Sequence, residues 1–434
     1  MSDNVMHNLF FIGRILFASN ETNNLWMIDP ETLTAVEKHD SNKLFHLNQS
    51  TAHPIFHYKS QEMFTWGCSM TTTGGCKYNI MKIPIIHNNG NTGAAAVMEI
   101  AKQCETLCSI SPWNYKLSSF IHTCGITDNY FILIEQPFFT NLAKVAKSAA
   151  FSKSYSCSEW LECPMDQVSN RFYVIDRRTG LNYCANLAIF SDEPFVFSHV
   201  INAFEDDKNY NDIVIDVVAY ENPSIFKQET LNLNSLRENG LYELKSAGIA
   251  TRFIIPKIAL DEAKLSDFKE DENLLQFNNK VWTKVKAVKA TNNKVLLTGQ
   301  AFTEAGIEMP VINSNYRGRK YKYFYGTSGF FKNNSYQNSV FKINTENPKK
   351  VRTFKDSNCI FGEPCFVAKP LSSPEGRVSE DDGAVLVGVN NFKDGSNYLL
   401  ILDGKKLKQL GKIIFNSHIP PALHGIFVPE DENT

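Results

Sequence analysis

Four histidines carry the chemistry most readily seen in this chain. They are His53 in Thr51-Ala52-His53-Pro54, His122 in Ile121-His122-Thr123-Cys124-Gly125, His199 in His199-Val200-Ile201-Asn202-Ala203, and His424 in Leu423-His424-Gly425. They lie too far apart for one helix or one finger to gather them. Only a large closed fold could unite them, and the product would be an all-histidine metal site. Neutral imidazole is a good ligand for iron, zinc or copper. Four such ligands leave the ion's charge uncompensated. They also leave two positions open on a six-coordinate ion. Fe(II) suits that arrangement, because dioxygen and substrate need adjacent room, whereas four-coordinate zinc would be closed and structural. Taken singly, each histidine is more ordinarily a core or surface residue. His57 and His418 lie close to two of the four and could be confused with them. His7, His39, His46 and His87 sit in polar or turn-like surroundings and give no such signal.

A metal-bound imidazole usually donates its other N–H to a carboxylate or carbonyl. Three acids stand in apolar or turn-constrained settings that suit such an acceptor. They are Glu21 in Ser19-Asn20-Glu21-Thr22-Asn23, Glu308 in Ile307-Glu308-Met309-Pro310, and Glu363 in Gly362-Glu363-Pro364-Cys365. The plain alternative for each, Glu21 above all, is an acid in a surface turn.

The elements that would position these residues read as short strands. Phe131–Ile134, Phe172–Ile175, Ile213–Val218 and Ala384–Val387 are β-rich runs, and Asn89-Gly90, Thr179-Gly180 and Asp403-Gly404 are turn signals. Long amphipathic helices are scarce, with candidates at Asn141–Ala150 and Ala259–Phe268. A weak repeat runs through Leu25–Asp29, Phe172–Asp176, Val340–Asn344 and Leu399–Asp403. Each is a strand that ends in Asp or Asn, followed by a tight turn and a return strand. That is the hairpin of a propeller blade, though irregular spacing leaves a sandwich or barrel open. No linker rich in Gly, Ser or Pro divides residues 1–434, so one domain is expected. The polar, acidic stretch Ser372–Asp382 reads as an inserted surface loop.

Composition narrows the class. The 434 residues are 43% hydrophobic, enough for a sizeable core. The net charge of -2 offers no basic excess to neutralise phosphates, which argues against nucleic acid as a partner. The ten cysteines include no CxxC pair, so buried free thiols in a reducing, cytoplasmic compartment are expected. Arg14 interrupts the apolar run Leu9–Ala18, and no Lys or Arg precedes it, the reverse of a signal peptide. No apolar run reaches the roughly 20 residues that span a bilayer.

Together these segments resemble the carotenoid cleavage oxygenase family. The four histidine segments are similar to that family's ligand motifs, the second extending through Asn129-Tyr130 and Glu135-Gln136-Pro137, the third through Phe204-Glu205 and the fourth through Val428-Pro429. Gly362–Val367 and Glu380-Asp381-Asp382-Gly383 add two further matches. Leu236-Arg237-Glu238 and Ile307–Asn313 point to the animal branch, which holds the β-carotene oxygenases and the retinoid isomerohydrolase. Each motif alone is weak, but the ordered set from residue 21 to 429 is specific.

The resemblance implies an all-β, seven-bladed propeller with a helical and loop cap. It implies Fe2+ held by His53, His122, His199 and His424, with Glu21, Glu308 and Glu363 orienting three of the imidazoles. It implies dioxygen-dependent cleavage of a carotenoid or apocarotenoid double bond to two carbonyl products. Two departures stand out. The Asn20–Asn23 segment arrives almost at once, so N-terminal strands of the propeller are expected to be missing, with unpaired edges. Met309 stands where the animal branch usually has an aromatic residue, which bears on substrate choice. The alternatives are a retinoid isomerohydrolase-like reaction and a catalytically silent carotenoid-binding protein. A carotenoid must arrive from lipid or a carrier. Phe138–Phe151, with Phe138, Phe139, Leu142 and Val145 among Lys144 and Lys147, is compatible with peripheral membrane contact.

Overall fold

A computed structural model describes residues 7–71, 74–85, 93–114, 116–150, 160–226, 247–275, 281–328, 338–370, 378–420 and 423–428. Leu236-Arg237-Glu238, Cys157, His87 and Asn89-Gly90 lie outside the described residues. The fold is all-β. Among the described residues, strands form seven sheets, six of them with four or more strands.

The six larger sheets follow one another along the chain. The first is a meander of Asn8–Ile12, Ile15–Ser19, Asn24–Ile28 and Ala35–Asp40. The second is built on Glu62–Met70, Cys76–Pro84 and Glu105–Ile110, with Gln49–Ser50 and Ile55–His57 both paired to Glu62–Met70. The third runs from Gly125–Ile126 through Tyr130–Glu135, Arg171–Asp176 and Ala188–Ser191. Lys294–Thr298 then joins it in parallel to Ala188–Ser191 and carries Lys286–Ala290 with it. The fourth begins with Val196–Asp206, the fifth with Ile307–Val311 and the sixth with Cys359–Ala368. The first strands of the third to sixth sheets pack side by side in that order. A small three-stranded sheet, Leu117–Ser119, Phe139–Asn141 and Leu161–Glu162, lies outside this series.

The repeated hairpin has a chemical cause. The Asp or Asn that ends each strand turns its side-chain oxygen onto the backbone of the turn. Asp29 Oδ1 accepts from the N–H groups of Glu31 and Thr32 at 2.9 and 2.8 Å. Asp176 Oδ1 accepts from Arg178 and Thr179 at 2.9 and 2.8 Å. Asn344 does the same for Glu346 and Asn347, and Asp403 for Lys406. These side chains replace a backbone acceptor where the chain reverses, which is why Asp and Asn mark such turns.

The core sits between the sheets. Phe131, Ile132, Leu133 and Ile134 are all fully buried, as are Phe172, Val174 and Ile175 on the neighbouring strand. Both faces of these strands pack, so they read as continuous apolar runs rather than alternating ones. Gly125 lets two sheets approach closely: a Cβ there would lie 2.9 Å from Ile215 Cδ1 and 3.0 Å from the Ala203 methyl.

One of the two helix expectations needs correcting. Ala259–Phe268 is not one helix but a 3-10 turn, Lys257–Leu260, followed by a short helix, Glu262–Ser266. Asp261 separates them, because its carboxylate caps the second helix by accepting from Lys264 N at 3.3 Å. The other expected helix, Asn141–Ala150, is present and spans Leu142–Ala150. Phe138, Phe139 and Leu142 are buried, so these residues are not free to face lipid. Among the described residues, no helix is long and apolar enough to cross a membrane.

Candidate metal centre

Each of the six larger sheets sends one residue to a common centre. The first sheet supplies Glu21, from the turn between Ile15–Ser19 and Asn24–Ile28. The second supplies His53, from the loop before Ile55–His57. The third supplies His122, three residues ahead of its first strand. The fourth, fifth and sixth supply His199, Glu308 and Glu363 from within their first strands. His424 comes from the segment after the last strand, Gln409–Phe415.

The three strand-borne residues share a local device. The pairing register shifts between Phe197 and Asn202, between Glu308 and Val311, and between Phe361 and Pro364. A bulge inserts an unpaired residue and re-aims a side chain. Here it turns His199, Glu308 and Glu363 toward the centre. Pro310 and Pro364 cannot donate to a ladder, so a bulge is where a strand tolerates them. At the second bulge Met309 adopts a left-handed backbone, φ 50°.

The four imidazoles meet. One nitrogen from each of His53, His122, His199 and His424 lies within 4.8 Å of the others. Ring centroids of successive pairs are 4.3 Å (His53–His122), 5.1 Å (His122–His199), 5.3 Å (His199–His424) and 4.4 Å (His424–His53). The cross pairs are longer, 5.8 and 6.2 Å, so the rings surround one point. His57 is apart from this group: it bonds Ser60 Oγ at 2.9 Å and lies 3.4 Å from Asp128. His418 reaches only Asn397, at 3.5 Å, among its described bonds.

Three rings are held from behind. His122 Nδ1 lies 2.6 Å from Glu21 Oε1, His199 Nδ1 2.6 Å from Glu308 Oε2, and His424 Nδ1 2.9 Å from Glu363 Oε1. An imidazole that donates Nδ1–H to a carboxylate presents the lone pair of Nε2 on its other side. His53 differs, since its Nδ1 faces the Asn8 side-chain amide at 3.3 Å. The donor set fits a metal. The Nε2 atoms of His53 and His199 are buried and have no hydrogen-bond partner among the described residues. Leaving a buried polar atom unsatisfied costs about 1–3 kcal/mol, and a cation at the centre would satisfy both at once.

The three carboxylates are not equivalent. Burial pushes Glu21 up to about 8 and holds His122 well below the ordinary imidazole value. That pair is drawn toward neutrality. Burial acts on Glu308 and His199 too, but their mutual charge and the donors on Glu308 outweigh it, so Glu308 is lowered and His199 raised. For Glu21 the sign of the pH effect follows directly. Its contribution to stability is present below the ordinary 4.5 and is lost as pH rises through about 8. A dication at the centre opposes this by favouring the carboxylate. Adding Co(II) to the metal-free protein at pH 7 is therefore expected to release a proton from Glu21. Dye-monitored titration in weak buffer checks this: the release should shrink as pH passes about 8 and be smaller in Glu21→Gln.

Sequence reasoning overlooked several residues here. Thr51 Oγ1 donates to the His122 carbonyl at 2.7 Å, and Thr123 Oγ1 donates to the Ser198 carbonyl at 2.6 Å while accepting from Val200 N at 2.7 Å. Each threonine lies within two residues of one histidine and fastens its segment to the next. Asn8 and Tyr220 were also missed. His7, read as having no role, lies where Glu21 and His424 influence its charge, and its Nδ1 is buried without a partner among the described residues.

Residues 1–429 match the family described as retinal pigment epithelial membrane protein, RPE65. The chain belongs to that family, which is the carotenoid cleavage oxygenase family. Among its relatives is a chicken (Gallus gallus) β,β-carotene 15,15'-dioxygenase, 31% identical, the alignment covering 99% of this chain and 76% of the relative. Another is a mitochondrial carotenoid-cleaving dioxygenase of Macaca fascicularis, 30% identical over 99% of this chain and 73% of the relative. Solved structures of the family share the fold. A chimera of apocarotenoid oxygenase and RPE65 superposes with a TM-score of 0.68 at 18% identity, covering 98% of this chain and 74% of its own. A cobalt-substituted Synechocystis apocarotenoid oxygenase gives 0.66 at 18% identity, covering 96% and 73%.

Proposed function

We propose that this chain is an iron(II)-dependent dioxygenase that cleaves a carotenoid or apocarotenoid double bond into two carbonyl products. The convergence of four imidazoles, three of them backed by glutamates, carries this reading. The names of the relatives supply the substrate class. His53, His122, His199 and His424 would hold the metal through Nε2. Glu21, Glu308 and Glu363 would orient His122, His199 and His424, and their negative charge would offset the dication that neutral imidazoles leave uncompensated. Iron bound there would supply dioxygen activation. The protein's own contribution is positional. Rings fixed by carboxylates, on segments tied together through the backbone by Thr51 and Thr123, keep the centre rigid, and Phe120, stacked on His122 at 5.6 Å, extends its apolar wall. No side chain is needed as an obligatory base.

The reading includes a single propeller domain over residues 1–434, seven-bladed in its closed form, in support of which stand six successive sheets that each send one residue inward. It includes a cytoplasmic site of action with peripheral lipid contact, from which a carotenoid would be drawn, made by residues other than the buried Phe138, Phe139 and Leu142. Iron-loaded protein mixed with several carotenoids in detergent should consume dioxygen in step with loss of polyene absorbance. Loss of neither would sink the proposal. Ester isomerohydrolysis without oxygen uptake would replace it with the retinoid reaction.

A further inference from the structure

We propose that Tyr220 is a positioning residue of the metal centre: its hydroxyl locks Glu308 in the orientation that holds His199. The inference rests on the functional reading above and adds a residue to it. Tyr220 ends the strand Asp212–Tyr220, pairs with Val196 and is 1% exposed. It belongs to the sheet that carries His199, while Glu308 belongs to the next one. Tyr220 Oη donates to Glu308 Oε1 at 2.5 Å. The other oxygen, Oε2, faces His199 Nδ1 at 2.6 Å and accepts from Met309 N at 2.7 Å. Both carboxylate oxygens are therefore engaged, and neither can rotate away without breaking a bond.

The other two glutamates are held differently: Glu21 engages one oxygen, and Glu363 engages both but only with the His424-Gly425 segment, among the described bonds. Glu21 uses a single oxygen, Oε1, toward His122 and a longer contact from Ala52 N at 3.3 Å. Glu363 accepts only from His424 and from Gly425 N at 3.2 Å among its described bonds. Among the described hydrogen bonds, Glu308 alone of the three receives a hydroxyl. The phenol itself is wedged. A Cβ on Gly248 would lie 3.0 Å from Tyr220 Cζ and 2.3 Å from the Ile307 carbonyl, so only glycine leaves room for the ring beside the Glu308 strand. The ring edge also meets Phe226, with centroids 6.1 Å apart. A carboxylate held in this way makes its imidazole the most firmly oriented and most strongly donating of the four.

Tyr220→Phe removes one oxygen and keeps the ring. The full chain, loaded with Co(II), is tested as wild type, Tyr220→Phe, Glu308→Gln and the double variant. Tyr220→Phe should speed Co(II) loss to a chelator about tenfold and shift or broaden the visible cobalt bands, which a purely packing role would leave in place. In the Glu308→Gln background the same change should add less than about twofold, because it acts through Glu308. An unchanged rate and spectrum, or a full effect in the Glu308→Gln background, overturns the inference. If Tyr220→Phe does not fold, 3-fluorotyrosine at position 220 serves instead. Its more acidic phenol should shift the cobalt bands, and an unshifted spectrum counts against the role. A wild-type protein that takes up no Co(II) at the four histidines would instead refute the functional reading itself.

Discussion

His122→Ala is expected to lose iron and carotenoid cleavage together. Even a change behind a metal-bound histidine typically weakens binding ten- to a hundredfold, so removing an imidazole should cost roughly a hundredfold or more. The structure adds a second penalty. Glu21 is buried, and its shortest described partner is His122 at 2.6 Å. Alanine leaves that carboxyl in a cavity with only the Ala52 N–H at 3.3 Å among its described partners. The control is His57→Ala. His57 is 4% exposed, but its partners are Ser60 and Asp128. That variant should keep its iron even if it folds less stably. Iron per chain after chelator treatment, with oxygen uptake on the same samples, separates the two. A His122→Ala protein that retains both iron and turnover would place the chemistry elsewhere.

Arg252→Ala should produce the largest loss of stability among single changes away from the centre. Arg252 Nε and Nη2 each donate to Asp216 at 2.7 Å, one bond to each carboxylate oxygen. Tyr321 Oη adds a third bond to Asp216, at 2.6 Å, from the neighbouring sheet region. The guanidinium also stacks 4.0 Å over Trp282. Asp216 is fully buried and Arg252 nearly so. Removing one partner of a buried pair leaves an uncompensated charge and costs about 3–5 kcal/mol. The midpoint of denaturant unfolding should fall accordingly. Replacing both partners together, as Arg252→Met with Asp216→Leu, should cost less than Arg252→Ala alone, because no orphan charge remains. A double variant less stable than Arg252→Ala would show that the pair contributes more than the repair of its own burial.

The centre was legible in the sequence because each of its residues lies in a short segment of unusual composition. The histidines at 53, 122 and 424 are flanked by Pro, Thr or Gly, and Glu308 and Glu363 stand next to or near a proline. What was not legible is how those prolines serve. Pro310 and Pro364 mark bulges that turn Glu308 and Glu363 inward, a matter of pairing register that depends on partner strands far along the chain. The strand hairpins were readable because Asp29, Asp176, Asn344 and Asp403 act locally on their own turns. The parallel pairing of Ala188–Ser191 with Lys294–Thr298 was not, since no local signal names a partner so far along the chain. Tyr220 escaped notice for the same reason: a tyrosine closing an apolar strand reads as core, and only the neighbouring sheet reveals the carboxylate it meets. His7 was passed over because the residues around it gave no sign that the chain folds back beside Glu21.

The central claim is that one iron(II) sits among four imidazoles and no other protein ligand. X-ray absorption at the iron edge of anaerobically loaded protein tests it most directly. The account predicts one iron per chain and a shell whose multiple scattering requires four imidazoles, with no sulfur, although Cys124 lies only two residues from His122. A shell containing sulfur, or one fitted by two or fewer imidazoles, would contradict it.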